Sequence, residues 1–189
     1  MPAITRHLNA PALALVACAL AALAMLAALV PSDAQAATAC KRYGDVQPQD
    51  IGRKEARRAV TCLVNRERNQ HGRGDLNQDY RLVDAAVYHS SYMARKNCFS
   101  HQCPGEPSLL DRLRKANYLH GGLSRWAYGE NIAYGIGPVG TPEAIVRGWM
   151  NSPPHRDAIL SGTFRDIGVG FQSRGGKGFY TADFGLRIG

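Results

Sequence analysis

Apolar and polar residues alternate with helical spacing through the middle of the chain and with a period of two near its end. Between Asp50 and Gln70, Ala56, Ala59, Val60, Leu63 and Val64 recur at intervals of three and four, while Arg53, Arg57, Arg58, Glu67 and Arg68 take the other face. His71-Gly72-Arg73-Gly74 ends that helix. Leu82, Val83, Ala86, Val87, Ser90, Met93 and Ala94 give a second helix, from Asp79 to Asn97, a wide apolar face containing small residues. Ser108-Leu109-Leu110-Asp111 reads as a capping box opening a short third helix to about Asn117. Arg125 to Tyr134 reads as extended, interrupted at Gly129-Glu130-Asn131. Thr141-Pro142-Glu143 starts another helix, with Thr as N-cap, Pro at the first position and an acid in the first turn. Ser152-Pro153-Pro154 repeats that start signal for a short helix to Leu160. Ile167, Val169 and Phe171 then alternate with smaller or polar residues, and Phe179 to Leu186 follows the turn-like Ser173-Arg174-Gly175-Gly176, which makes a hairpin. Helices followed by a small antiparallel sheet, with further helices between, define an α+β fold.

The N-terminus carries a different pattern. Ala12 to Val30 is uninterrupted apolar sequence, preceded by Arg6 and His7 and followed by Ala34-Gln35-Ala36. That is the layout of a signal peptide cleaved after Ala36. The run is also long enough to span a bilayer, so an uncleaved anchor is the competing reading. Cys18 lies inside the run and reads as filler. The domain plan is thus residues 1–36 as leader, 37–50 as an N-terminal segment and 51–189 as one domain. Export predicts a secreted or periplasmic protein with no permanent membrane span after leader removal.

The chain carries a net charge of +8, and the leader holds only Arg6 and Asp33, so the rest keeps that surplus. It favours an anionic surface as a partner; there is no nucleic-acid motif. Cys40, Cys62, Cys98 and Cys103 remain after the leader. An even count in an oxidising compartment predicts disulfides. Three connectivities are open, of which Cys40–Cys62 and Cys98–Cys103 are favoured.

Three polar segments stand apart from the packing pattern: Phe99-Ser100-His101, Gly129-Glu130-Asn131, and Trp149 to Arg156. His155, near the third position of a helix that Ser152 would cap, is kept neutral by the positive helix end and so can bind a metal or accept a proton. Glu130, set between apolar residues, is expected to be half-buried and to need a partner. Cys98, His101 and Cys103 have the spacing C-x₂-H-x-C, but a structural zinc site wants a second thiol pair, and none is present. His7, His71, His89 and His120 fall in the leader, at turns or on a polar helix face and receive no role. Tyr128, Tyr134 and Trp149, the aromatics nearest these segments, are read as core.

Taken in order, "LVNRERNQHG", "FSH", "YGENIAYG", "WMNSPPHRDAIL", "IGVGF" and "YTADFG" resemble the CAP superfamily of cysteine-rich secretory, antigen 5 and pathogenesis-related proteins, in its bacterial secreted SCP-like branch. The resemblance implies an α–β–α sandwich with a small antiparallel sheet between helical layers. It also implies a central cleft lined by two histidines and two glutamates, where the histidines can hold zinc or another divalent metal. His101 matches the first histidine, Glu130 the glutamate of the Gly-Glu-Asn motif and His155 the second histidine. The second glutamate's place, three residues after Trp149, is held by Ser152. Members of the family are described as binding modules for lipids, sterols or partner proteins. The resemblance therefore implies a cleft of His101, Glu130, Ser152 and His155 that takes a small apolar or cell-envelope ligand. A zinc-dependent hydrolase using His101, His155 and Glu130 is the alternative, and an interaction module with a purely structural polar cluster is a third. Whether the chain is an enzyme stays open at this level.

Overall fold

The computed structural model describes residues 40–189; the leader, its cleavage after Ala36, and Cys18 lie outside the described residues. Helix α1 (Arg53–Gln70) buries Ala56, Ala59, Val60, Leu63 and Val64. Strand β1 (Asn77–Gln78) leads into α2 (Tyr80–Lys96), whose N-cap Asp79 accepts the Arg81 N–H. Asn97, in the left-handed conformation at φ 48°, closes α2 through its N–H to Met93 O. Ser108 caps α3 (Leu109–Lys115) by accepting the Asp111 N–H at 3.2 Å, as the capping box required. Strand β2 (Arg125–Ile136) runs straight through Gly129-Glu130-Asn131, so the expected interruption is absent. A 3-10 turn, Gly137–Gly140, precedes α4 (Pro142–Met150), capped by Thr141, and α5 (Pro153–Leu160) follows. Strands β3 (Asp166–Arg174) and β4 (Lys177–Ile188) close the chain. Gly175 and Gly176 join them at φ 58° and 74°. Two successive positive φ values are what a tight hairpin turn matching strand twist demands.

The sheet order is β1-β3-β4-β2. All pairings are antiparallel except β1 with β3, which is parallel over two residues and left no mark in the hydrophobic pattern. One face carries Ile167, Val169, Phe171, Tyr180, Ala182 and Phe184, which pack against α1, α4 and α5 in the main core. The opposite face meets α2. There the β3 residues are Gly168 and Gly170, and a Cβ on either would lie 2.1 Å from the α2 backbone, at Leu82 C or Ala86 O respectively. Glycine lets α2 lie directly on the strand. On β4 the same face offers Thr181 and Asp183; Ser90 of α2 donates to Thr181 Oγ1 at 2.9 Å. Helices thus cover both sides of a small sheet, the α–β–α sandwich expected from the resemblance. Both favoured disulfides are present, Cys40–Cys62 and Cys98–Cys103. With Cys98 and Cys103 bonded to each other, no thiolate is left for a local zinc knot.

Two consequences place the site. The polar face of the sheet lies under α2. Strand β2 is an edge, paired to β4 alone, with Glu130 directly across from Asp183.

Candidate functional site

His101 sits in the loop that the Cys98–Cys103 bond closes after α2. Its imidazole is 59 % exposed, and its Nδ1 lies 2.8 Å from Glu130 Oε1. A carboxylate only accepts, so Nδ1 carries the proton and Nε2 presents a lone pair outward. Glu130 is 2 % exposed, deeper than the half-burial expected. Its second oxygen accepts from the Arg112 guanidinium. Burial by itself would raise the Glu130 pKa; the hydrogen bond from His101 and the Arg112 charge outweigh it and hold the group below its ordinary value.

Beneath Glu130 lies a polar cluster that the pattern of the sequence does not announce. The sequence places His89 on a polar helix face without a role, and the structure corrects this. It is fully buried on α2, with Nδ1 2.7 Å from Glu106 Oε1 and Nε2 3.9 Å from Glu130 Oε2. Position 89 lies on the same side of α2 as Ala85, Ala86 and Met93, so helical spacing was the available clue. Burial dominates the downward shift of the His89 pKa and keeps its imidazole neutral. Glu106 also accepts the Cys103 N–H at 3.1 Å, which ties the His101 loop to the cluster. Arg112, buried on α3, donates to His101 O at 3.2 Å and to Pro107 O at 3.3 Å. Asp183 is fully buried, and neither of its oxygens has a hydrogen-bond partner among the described residues. Burial first, then the Glu130 charge, push its pKa well up, which favours the protonated carboxyl. Asp183 sits at the inward alternate position of β4, a carboxyl where a doubly covered strand normally keeps apolar residues.

His155 approaches from the other side. Asn131 Nδ2 donates to His155 O at 3.0 Å, and Trp149 Nε1 donates to Ile132 O at 3.0 Å, so the edge of β2 holds α4 and the start of α5. Ser152 is the N-cap residue of α5, yet its hydroxyl makes no capping bond. Pro153 and Pro154 have no N–H to offer it, and the His155 N–H, three residues on, is not taken either. The hydroxyl pairs instead with His155 Nδ1 at 2.9 Å. The His155 pKa is lowered, by burial first and by nearby His101 second. Neutrality was expected from the helix end; the desolvated setting supplies it. His101 and His155 are therefore neighbours in space, each oriented through Nδ1.

A three-ligand metal set of His101, His155 and Glu130 does not fit this arrangement, because both Glu130 oxygens are engaged. Among the described residues no group of three or more His, Cys, Asp or Glu is disposed to hold a metal. Neither imidazole uses its Nε2 in a hydrogen bond among the described residues, and Glu130 orients His101 from behind.

The aromatic residues divide. Trp149 is core, as expected. Tyr134 is not: it is 48 % exposed and meets Phe99, 47 % exposed, edge to face at 4.8 Å. Tyr134 lies on the same face of β2 as Glu130, and Phe99 two residues before His101, so an exposed aromatic pair borders the imidazoles. Behind Arg112 a groove of about 220 Å³ is lined by Tyr88, Pro107 and Lys115. That is below the roughly 300–1,000 Å³ of most small-molecule sites.

An α–β–α sandwich carrying this histidine–glutamate face defines the class, and the chain belongs to the cysteine-rich secretory protein (CAP) family, whose model matches residues 62–184. It is 40 % identical over 116 residues to the uncharacterized protein YkwD of Bacillus subtilis, covering 61 % of this chain and 42 % of that one. It is 35 % identical over 127 residues to the uncharacterized membrane protein YlbC of the same organism, covering 66 % of this chain and 33 % of that one. The chain thus spans less than half the length of these curated relatives. Among solved structures, an extracellular protein of Bacillus anthracis containing an SCP domain superposes with a TM-score of 0.61 at 31 % identity, over 72 % of this chain and 42 % of that one. An outer surface protein of Borrelia burgdorferi shares the fold at TM-score 0.62 and 20 % identity, over 72 % of this chain and 96 % of that one. Among the described residues no helix is long and apolar enough to cross a membrane.

Proposed function

We propose that this chain is a secreted binding module whose ligand face is His101, Glu130, Ser152 and His155, bordered by Phe99 and Tyr134. The observation that carries the reading is the contrast within one cluster. Three charged or polar side chains, His89, Glu106 and Arg112, are buried around one carboxylate, Glu130, and that carboxylate fixes one exposed imidazole. A buried ionic cluster is costly to build, and here its output is an oriented donor atom at the surface. The aromatic pair supplies apolar area beside it, which suits a small apolar or cell-envelope ligand with a polar head. Two disulfides and the leader-like N-terminus support export.

A divalent metal such as zinc would be held by His101 Nε2 and His155 Nε2, with its other positions open to the ligand or water; bound there, it would act as a Lewis acid. The hydrolytic alternative draws less support. Glu130 would have to serve as base, yet it is held ionised by two fixed partners and is not free to take and return a proton. The test is a ligand panel of lipids, sterols and envelope fragments, with zinc titrated in parallel. His101→Ala with His155→Ala is expected to abolish zinc binding and to weaken the ligand at least tenfold. Unchanged zinc stoichiometry in that double variant, together with no saturable ligand in the panel, rejects the reading.

A further inference from the structure

A second surface, distant in sequence from the imidazole face, carries unbalanced charge. Over residues 41–58 the chain has six cations (Lys41, Arg42, Arg53, Lys54, Arg57 and Arg58) against the acids Asp45, Asp50 and Glu55. At about 100° per residue, the four cations on α1 fall within roughly 140° of its circumference. Lys54 and Arg58 are one turn apart, and Cys62 lies one turn further along the same row. Cys62 is bonded to Cys40, with Cα atoms 5.6 Å apart, so the disulfide brings Lys41 and Arg42 to the end of that row. Lys41, Arg42, Arg53, Lys54 and Arg58 are exposed and Arg57 is partly so. Among the described residues none of the six is in an ion pair; Arg42 lies over the Tyr43 ring at 5.4 Å.

This placement works against the helix. Arg53 and Lys54 occupy the first two positions of α1, at the positive end of the dipole, where cations destabilise and acids are favoured. Like charges one turn apart, as in Arg53/Arg57 and Lys54/Arg58, add to the cost. Gly52 contributes no side-chain cap to offset it. Glu55, the acid of the first turn, offsets part of this cost, and the row as a whole presents positive charge without an ion-pair partner among the described residues, a surface that attracts polyanions. We infer that this ridge is a binding site for a linear polyanion of the phosphodiester or polyphosphate kind. A membrane fits less well. Stable attachment to a bilayer takes an apolar element beside the charge. Among the described residues, the exposed large hydrophobic side chains, among them Phe99, Trp126, Tyr134, Ile136 and Val139, all lie outside α1 and residues 40–52.

The test uses the full chain and long-chain inorganic polyphosphate, with orthophosphate and anionic phosphatidylglycerol vesicles at matched phosphate. Polyphosphate is expected to bind saturably and more tightly than either comparator. K54E/R58E is expected to weaken it at least tenfold and to lower the slope of log affinity against log salt by about one to two. K96E/R125E, the same charge change at exposed sites on α2 and β2, is expected to cost less than threefold. K54E alone is expected to raise the Tm while weakening binding, the opposite of what loss of a structural contact would do. Equal losses in the two double variants reduce the effect to net charge and overturn the site. So do vesicles binding more tightly than polyphosphate, or a K54E variant whose polyphosphate affinity is unchanged.

Discussion

Glu130 and Asp183 face each other across β2 and β4, and the same burial leaves them in opposite protonation states. Arg112 and His101 hold Glu130 ionised, while Asp183, lacking any donor, keeps its proton. Glu130→Gln removes the nearer of the two carboxylates beside buried Arg112, leaving Glu106 at 3.7 Å, and it is expected to cost about 1–3 kcal/mol in urea unfolding. Asp183→Asn replaces a neutral acid by a neutral amide of the same shape and is expected to change stability by no more than about 1 kcal/mol near pH 4. Its effect grows with pH. A carboxyl whose folded pKa is raised binds more protons folded than unfolded once pH exceeds the ordinary carboxylate value. Stability therefore falls as pH rises from about 4 toward the folded value, and the asparagine variant escapes that loss. Unfolding curves at pH 4, 6 and 8 check this: the gap should widen in favour of the variant, and parallel curves would show Asp183 to be ionised in the native state. At this scale the sequence disclosed His101, Glu130 and His155 through their motifs. It did not disclose His89, Glu106, Arg112 or Asp183, because a buried ion is recognised only by its partners, and these come from four separate segments.

Among the elements, α2 and β3 decide where the cluster lies. Gly168 and Gly170 remove the side-chain layer between helix and strand, so His89 reaches the level of Glu130. A methyl at either glycine would meet helix backbone at 2.1 Å, and backbone cannot rotate aside. Gly168→Ala and Gly170→Ala are each expected to cost about 1–3 kcal/mol or more, with further loss of zinc or ligand binding at His101. A Gly170→Ala variant with wild-type denaturation midpoint and binding would show that α2 is free to move outward. Helical and strand periods, caps and the hairpin glycines were legible here, since each is a local rule. The parallel β1 was not, because two residues carry no period. Nor was the fate of the Ser152 hydroxyl, which leaves the helix end uncapped and pairs with the His155 ring instead.

For the whole molecule, two covalent closures of different span fix the N-terminal segment and the His101 loop. The loop between Cys40 and Cys62 spans a sequence separation of 22, that between Cys98 and Cys103 a separation of 5. By chain entropy the first contributes about 3 kcal/mol and the second about 2 kcal/mol. Removing each pair by Cys→Ala substitution should reproduce that order in Tm, while only the 98–103 pair should disturb His101. If loss of Cys40–Cys62 instead abolishes zinc or ligand binding with the fold intact, the two regions are coupled in a way the contacts do not show. The sequence by itself determined the helices, the hairpin and the three motif residues, and favoured one of three disulfide pairings, because periodicity, capping and motif order are properties of neighbours along the chain. The tertiary structure alone decided that Glu130 is locked rather than free, that Asp183 lies buried beside it, that Tyr134 faces solvent and that the Cys98–Cys103 loop brings His101 onto Glu130. Each of those depends on burial and on partners brought together from distant segments, and no local pattern encodes them.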